Sequence, residues 1–154
     1  MNLDRTDFEL LKALQRDARV TNKELAASVG VSPSTCLERV RRLRESGALR
    51  GLHADVDPEA FGIQVQAMVS VRLAKHALVS FDSLRDHLLG IPEVVSVYLL
   101  AGAQDFLVHV VASSVNHLRD VVSENFAARE DVAHMETSLI FDFARSHELP
   151  NFAG

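Results

Sequence analysis

Residues 32–43, SPSTCLERVRRL, put three kinds of polar group on one short stretch: the hydroxyls of Ser34 and Thr35, the carboxylate of Glu38, and the guanidiniums of Arg39, Arg41 and Arg42. Hydroxyls and carboxylates of this kind hydrogen-bond to base edges, and guanidiniums grip phosphates or pair bidentately with guanine. At about 100° per residue in a helix, Ser34, Thr35, Glu38, Arg41 and Arg42 share an outer face, with Arg39 at its border. Cys36, Leu37, Val40 and Leu43 fall on the opposite side, the expected packing face. A solvated surface helix would carry a similar basic face, so the chemistry takes its meaning from the elements that present it.

Those elements are legible upstream. Thr21 followed by Glu24 is a capping box: the hydroxyl caps a backbone N–H and the carboxylate reaches back to the cap residue. Leu25 and Val29 give the helix that follows an apolar edge, and Ala26 is small enough to admit a neighbouring helix. Gly30 stands where a left-handed residue ends a helix. Ser32 caps the next one, with Pro33 at its first position, where a missing N–H costs nothing. Helix, tight turn and helix is the reading, preceded by a helix built on Leu11 and Leu14 with Phe8, Leu10 and Val20. Residues 48–57 alternate loosely and predict a short strand or wing carrying Arg50. Pro58 and Gly62 bracket a hinge, and a domain boundary is expected near residue 60.

The charge distribution agrees. The chain of 154 residues has a formal charge of −5, which by itself argues against binding nucleic acid. Residues 1–50, however, hold 10 basic and 7 acidic side chains, while residues 51–154 hold 6 basic and 14 acidic. A basic front end on an acidic body confines phosphate binding to one module. No apolar run approaches the roughly 18 residues of a membrane helix, and the charged start, MNLDRTDFELL, lacks a signal core. One cysteine excludes an internal disulfide and suits a reducing cytoplasm, where the protein is expected to reside.

Beyond the hinge the apolar period changes from 3.6 to 2. Ile63, Val65, Ala67, Val69, Val71 and Leu73 alternate with polar residues as one half-buried strand. Phe81, Leu84 and Leu88 space out a helix. Residues 94–100 and 106–112 read as strands joined by the turn AGAQD. Val115, Leu118, Val121, Val122 and Phe126 mark a second helix, and residues 135–143 a last strand. The order β-α-β-β-α-β predicts a ferredoxin-like domain over residues 61–154, after a winged helix-turn-helix domain over residues 1–60, an α+β protein in all. The sheet face away from the helices would carry Met68, Tyr98, Leu100, Leu107, Val111 and Ile140 beside Ser70, His109 and Ser138. A patch of that kind marks an interface, and a homodimer with facing sheets is expected.

Along almost its whole length the chain resembles the leucine-responsive and asparagine-responsive (Lrp/AsnC, feast/famine) bacterial transcription regulators. The resemblance rests on LDRTDFELLKALQRDARV, on SPSTCLERVRRL, on the AGAQDF turn and on METSLIF in the last strand. It implies an N-terminal DNA-binding domain, a C-terminal amino-acid-sensing domain, and dimers that assemble further to tetramers or octamers. It also implies an effector site near the glycine-to-aspartate turn and the last strand, here Gly102, Ala103, Gln104, Asp105 and Thr137, with Tyr98 more an interface residue than a ligand contact. Turn amides would take an α-carboxylate, and Asp105 or a threonine hydroxyl an ammonium.

The expected function is therefore a sequence-specific DNA-binding transcription regulator modulated by a small molecule, an amino acid by the resemblance. Ser34, Thr35, Glu38 and Arg42 are assigned to base edges; Arg39, Arg41 and Arg50 to phosphate; Ser32 caps the reading helix at the same interface. Two rivals stand beside this reading. One is a nucleoid-type architectural DNA binder whose second domain only oligomerises; the other is a ligand-sensing regulatory subunit of a metabolic enzyme, which leaves the basic helix without a purpose. The seven histidines (53, 76, 87, 109, 117, 134 and 147) show no ligand spacing with Cys or Asp, so no metal is expected. Cys36 reads as a small core residue rather than a redox switch. No catalytic trio, phosphate loop or dinucleotide fingerprint occurs, so neither an enzyme nor a cofactor is expected.

Overall fold

Asp4, Thr21 and Ser32 each start a helix by the same device, a side-chain oxygen accepting from a backbone N–H that the helix itself leaves unpaired. The computed structural model describes residues 3–74 and 81–153, which leaves His76 outside the described residues. Helix α1 runs Arg5–Arg16, α2 Asn22–Ser28 and α3 Pro33–Glu45. Asp4 Oδ1 accepts from Asp7 N at 2.9 Å and Asp7 Oδ2 from Asp4 N at 3.2 Å, a capping box at the start of α1. Thr21 and Glu24 form the expected box on α2. Gly30 takes φ +70°, the left-handed conformation that lets the chain turn from α2 into α3. The core of this unit is Leu10, Leu14, Leu25, Ala26, Cys36 and Leu43.

The segment after α3 departs from expectation. Residues 48–57 form no strand. Leu49 N donates to Leu43 O at 2.9 Å, which closes the end of α3, and Leu49 packs on the core. From Arg50 to Asp57 the chain is exposed, and its loose alternation finds no ladder partner among the described residues. A 3-10 turn, Pro58–Phe61, follows and ends at Gly62 with φ +72°.

The second unit is an antiparallel sheet of β1 (Val65–Leu73), β2 (Val94–Leu99), β3 (Phe106–Ala112) and β4 (Val132–Leu139), in the spatial order β2-β3-β1-β4. Helices α4 (Phe81–Leu89) and α5 (Val115–Val122), the latter continued by a π-helical turn Ser123–Ala127, complete the β-α-β-β-α-β order. Val69, Val71, Phe106, Val108 and Val110 project from the sheet into a core shared with Leu84, Leu88, Leu118, Val121 and Phe126. The last strand begins and ends earlier than the 135–143 its alternation suggests. It pairs with β1 from Leu73↔Val132 to Ala67↔Leu139, and Ile140 N still donates to Gln66 O at 2.9 Å. Beyond that only Val65 of β1 remains, and Phe141 and Phe143 are exposed.

The chain divides into two units, one of the residues up to Asp55 together with those from Ala144 onward, the other Val56–Phe143. The terminal segment thus groups with the helical unit rather than with the sheet that precedes it. Glu148 pairs with Arg16 Nε at 2.9 Å and Lys12 Nζ at 3.4 Å, and Leu149 N donates to Gln15 Oε1 at 2.8 Å.

Candidate nucleic-acid interface and ligand-binding turn

The start of α3 is a knot of hydroxyls. Ser32 Oγ accepts from Thr35 N at 3.1 Å and lies 2.8 Å from Thr35 Oγ1 and 3.0 Å from Ser34 Oγ. Asn22 Nδ2 donates to Pro33 O at 2.9 Å and so ties the first turn of α2 to the first turn of α3. Asn22 had no sequence signal, because an amide reaching a carbonyl eleven residues away leaves no periodic trace. Ser34, Thr35, Glu38, Arg39 and Arg42 line a shallow concavity on this surface.

The arginines of α3 divide into three situations. Arg41 is held within its own helix: Nε donates to Glu38 Oε2 at 3.0 Å, and its two terminal nitrogens pair with Glu38 and Glu45. These carboxylates hold the Arg41 pKa above its usual value, while the Arg41 guanidinium draws the Glu38 pKa down. Arg39, assigned to phosphate from sequence, turns inward. Its Nη1 donates to Asp7 Oδ1 and to Asp4 Oδ2, both at 2.7 Å, which fastens α3 to the start of α1. Asp7 is 4% exposed and the one buried charged side chain among the described residues. The Arg42 guanidinium, by contrast, is exposed and makes no hydrogen bond or ion pair among the described residues, though its charge helps to lower the Glu38 pKa; the Arg50 guanidinium is likewise without a hydrogen bond or ion pair.

Leu37 corrects the helical wheel. Helical spacing alone puts it on the packing face, yet it is 63% exposed. The side actually turned inward is Cys36, Arg39, Val40 and Leu43 at helical spacing, with Arg39 occupying the place given to Leu37. Cys36 is fully buried, and desolvation raises its thiol pKa, the opposite of an activated cysteine.

In the sheet unit, Gly102, Ala103, Gln104 and Asp105 form the turn from β2 into β3. Asp105 anchors it: Asp105 N donates to Val71 O at 2.9 Å, Leu100 N to Asp105 O at 2.8 Å, and Leu73 N to Asp105 Oδ2 at 2.8 Å. Gly102 needs no left-handed backbone, and a Cβ built there meets nothing within 4 Å. Gln104 is half-buried, and its Oε1 is enclosed without a hydrogen-bond partner. Thr137 lies opposite Val69 and Tyr98 opposite Leu107. Val69 is a core residue whereas Leu107 faces away from the helices, so Thr137 and Tyr98 sit on opposite faces of the sheet. One protomer therefore does not bring them into a common pocket.

The open face carries Met68, Leu107, His109, Val111 and Ile140 half-buried, with Tyr98 51% exposed. His109 Nε2 and Gln66 Oε1 lie 2.9 Å apart, and burial lowers the His109 pKa.

Both halves of the chain match known family models. Residues 3–50 match the winged helix-turn-helix DNA-binding model, and residues 66–148 match the Lrp/AsnC ligand binding domain. The chain belongs to the Lrp/AsnC family. Within that family it is 47% identical over 144 residues to the HTH-type transcriptional regulator AldR of Mycolicibacterium smegmatis, covering 94% of this chain and 84% of that protein. It is 34% identical over 139 residues to a leucine-responsive regulatory protein of Rhizobium meliloti, covering 90% and 89%. Among solved structures it superposes on an L-Met complex of a transcriptional regulator from Neisseria meningitidis with a TM-score of 0.84, 29% identity and 97% coverage of each chain. As an Lrp/AsnC protein the chain is a DNA-binding transcription regulator with a ligand-binding domain, and its relatives are regulators rather than enzymes. No group of His, Cys, Asp and Glu among the described residues could hold a metal ion.

Proposed function

We propose that this regulator acts in the cytoplasm as a homodimer, able to assemble to tetramers or octamers, and reads an operator in double-stranded DNA with the exposed face of α3. The observation that carries the reading is Arg42, whose guanidinium makes no hydrogen bond or ion pair among the described residues and lines one shallow concavity with Ser34, Thr35 and Glu38. Ser34, Thr35, Glu38 and Arg42 contact base edges, and Ser32 sets the helix start. Arg50 grips phosphate. Arg41 joins it only by exchanging its carboxylate partners for the backbone of the duplex. Arg39 acts from behind, holding α3 on α1.

The effector is an amino acid bound at the Gly102–Asp105 turn. Gln104 Oε1 is an enclosed acceptor without a partner, which a turn of its side chain would present to a ligand, and Asp105 has a second carboxylate oxygen beside the one that takes Leu73 N–H. An ammonium supplies donors to both, and the open ground above Gly102 leaves room for an α-carboxylate to approach backbone amides. Because Thr137 and Tyr98 face opposite ways, they line this site only where subunits meet; the ligand then favours one mode of assembly over another.

Two measurements test the reading. Sequence selection from a random duplex pool by the full-length protein should enrich one motif; uniform binding without enrichment would return the protein to an architectural role. Thermal unfolding in the presence of each of the twenty amino acids should show a selective shift, about 2.7 kcal/mol at a ligand concentration near 100 times Kd. The variant Asp105→Asn keeps an acceptor for Leu73 N–H and should abolish that shift while preserving the fold.

A further inference from the structure

Leu37 is an anomaly on the surface it occupies. It stands on α3 three residues after Ser34 and four before Arg41, and so beside both on the helix surface. At 63% exposure it is the large apolar side chain of α3 left in solvent, while Leu43, two turns further on, is buried. Nothing in its own unit covers it: the core of that unit consists of Leu10, Leu14, Leu25, Ala26, Cys36 and Leu43, with Val40 packed against it and Leu37 absent.

A lone exposed leucine needs no explanation on most surfaces. This one lies in the first half of the helix whose hydroxyls, carboxylate and free guanidinium face the same way. The major groove offers one apolar feature to such a helix, the C5-methyl group of thymine, and aliphatic side chains are what meet it. We infer that Leu37 is a specificity-determining residue that packs against a thymine methyl in the operator. On the wheel Leu37 and Arg42 flank the outward positions Ser34 and Glu38 on opposite sides, so an apolar reader and a guanidinium address different base pairs across one groove. The inference rests on the proposed base-reading role of α3 and adds to it the identity of one base.

Deoxyuridine tests it, since it differs from thymidine only by the methyl group. Duplexes enriched from a random pool by the wild-type full-length protein are remade with each thymine replaced singly by deoxyuridine. At one thymine in each half-site the wild-type protein should lose roughly fourfold in affinity, the factor that corresponds to burying one methyl-sized group. Leu37→Ala should bind the parent duplex more weakly and show no further loss at that thymine, and Leu37→Met should keep part of the discrimination. Because Leu37 lies outside the core, the variants should unfold at the wild-type temperature, which the same preparations report. An undiminished deoxyuridine penalty in Leu37→Ala, or no penalty at any thymine in the wild-type protein, would overturn the assignment. Failure of the pool to yield any motif would instead remove the base-reading role on which it rests, and the assignment with it.

Discussion

Replacing Arg39 by alanine separates a residue that grips DNA from one that holds the reader in place. In the wild-type protein Arg39 Nη1 sits 2.7 Å from Asp7 Oδ1 and from Asp4 Oδ2. Asp7 is 4% exposed, and without the guanidinium its carboxylate retains only the Asp4 N–H at 3.2 Å. Stripping one partner from a buried ion pair costs about 3–5 kcal/mol. The Arg39 side chain is itself 23% exposed, and the surviving backbone donor helps, which together bring the expected loss to about 2–3 kcal/mol. Asp4 is half exposed, so solvent screens its share and it adds little. Hydrogen exchange is the suitable assay, because the sheet unit serves as an internal reference. Amides of α1 and α3 should exchange about 30- to 150-fold faster in Arg39→Ala while β1 and β3 are unaffected. Pairing Asp7→Asn with Arg39→Gln should recover most of the protection, since no charge is then left buried alone. If exchange is unchanged and the slope of log affinity against log salt falls by about one, Arg39 is a phosphate contact after all and the positioning argument fails.

Other outcomes follow from the same geometry. Arg42→Ala should weaken binding to a selected operator by about 1–3 kcal/mol more than binding to bulk DNA, whereas Arg50→Ala should weaken both alike; equal losses for the two variants in a competition gel shift would refute that division. Asp4 and Glu24 have pKa values held below the usual carboxylate range, Asp4 first by the Asp7 N–H and then by Arg39, Glu24 first by the Thr21 hydroxyl and then by its N–H. Their contribution to stability is complete above the unfolded carboxylate range and lost as pH falls through the depressed folded values, so acid titration followed by circular dichroism should melt this unit less steeply in Asp4→Asn. Burial lowers the His109 pKa, so its contribution is complete above the ordinary histidine range and lost as pH falls through the lowered value. Thermal unfolding of the sheet unit should therefore weaken on acidification in that window, and His109→Gln should flatten the profile.

The parts of this molecule that local chemistry dictates were legible in the chain, and the parts made by distant partners were not. Thr21 with Glu24, Ser32 with Pro33, and Gly30 announce their caps and turn within four residues of themselves, and each stands as its chemistry requires. The alternation of Val65 to Leu73 likewise marks β1 and its buried face. Arg39 is different, because its partner Asp7 lies 32 residues away and an arginine on a basic helix carries no mark of being spoken for. Leu37 is the counterpart of Arg39: with the arginine turned inward, the packed stripe rotates and Leu37 is left outside. For the last strand, alternation continues past Leu139 through Phe141 and Phe143, but a strand ends where its neighbour does. In the AGAQD turn the aspartate was visible as a candidate, while its bond to Leu73 N–H and the unpartnered Gln104 oxygen depend on β1 lying alongside.

The terminal segment that returns to the helical unit makes that unit discontinuous in the chain, with the sheet unit inserted between its two pieces. A chimera that joins this DNA reader to a relative's sensor at a single crossover near Asp55 would therefore also import a foreign tail. The borrowed segment would have to reproduce Glu148 opposite Lys12 and Arg16, and a backbone amide opposite Gln15. Exchange at two crossovers, near Asp55 and near Ala144, transplants the sensor whole and leaves the reader with its own clasp.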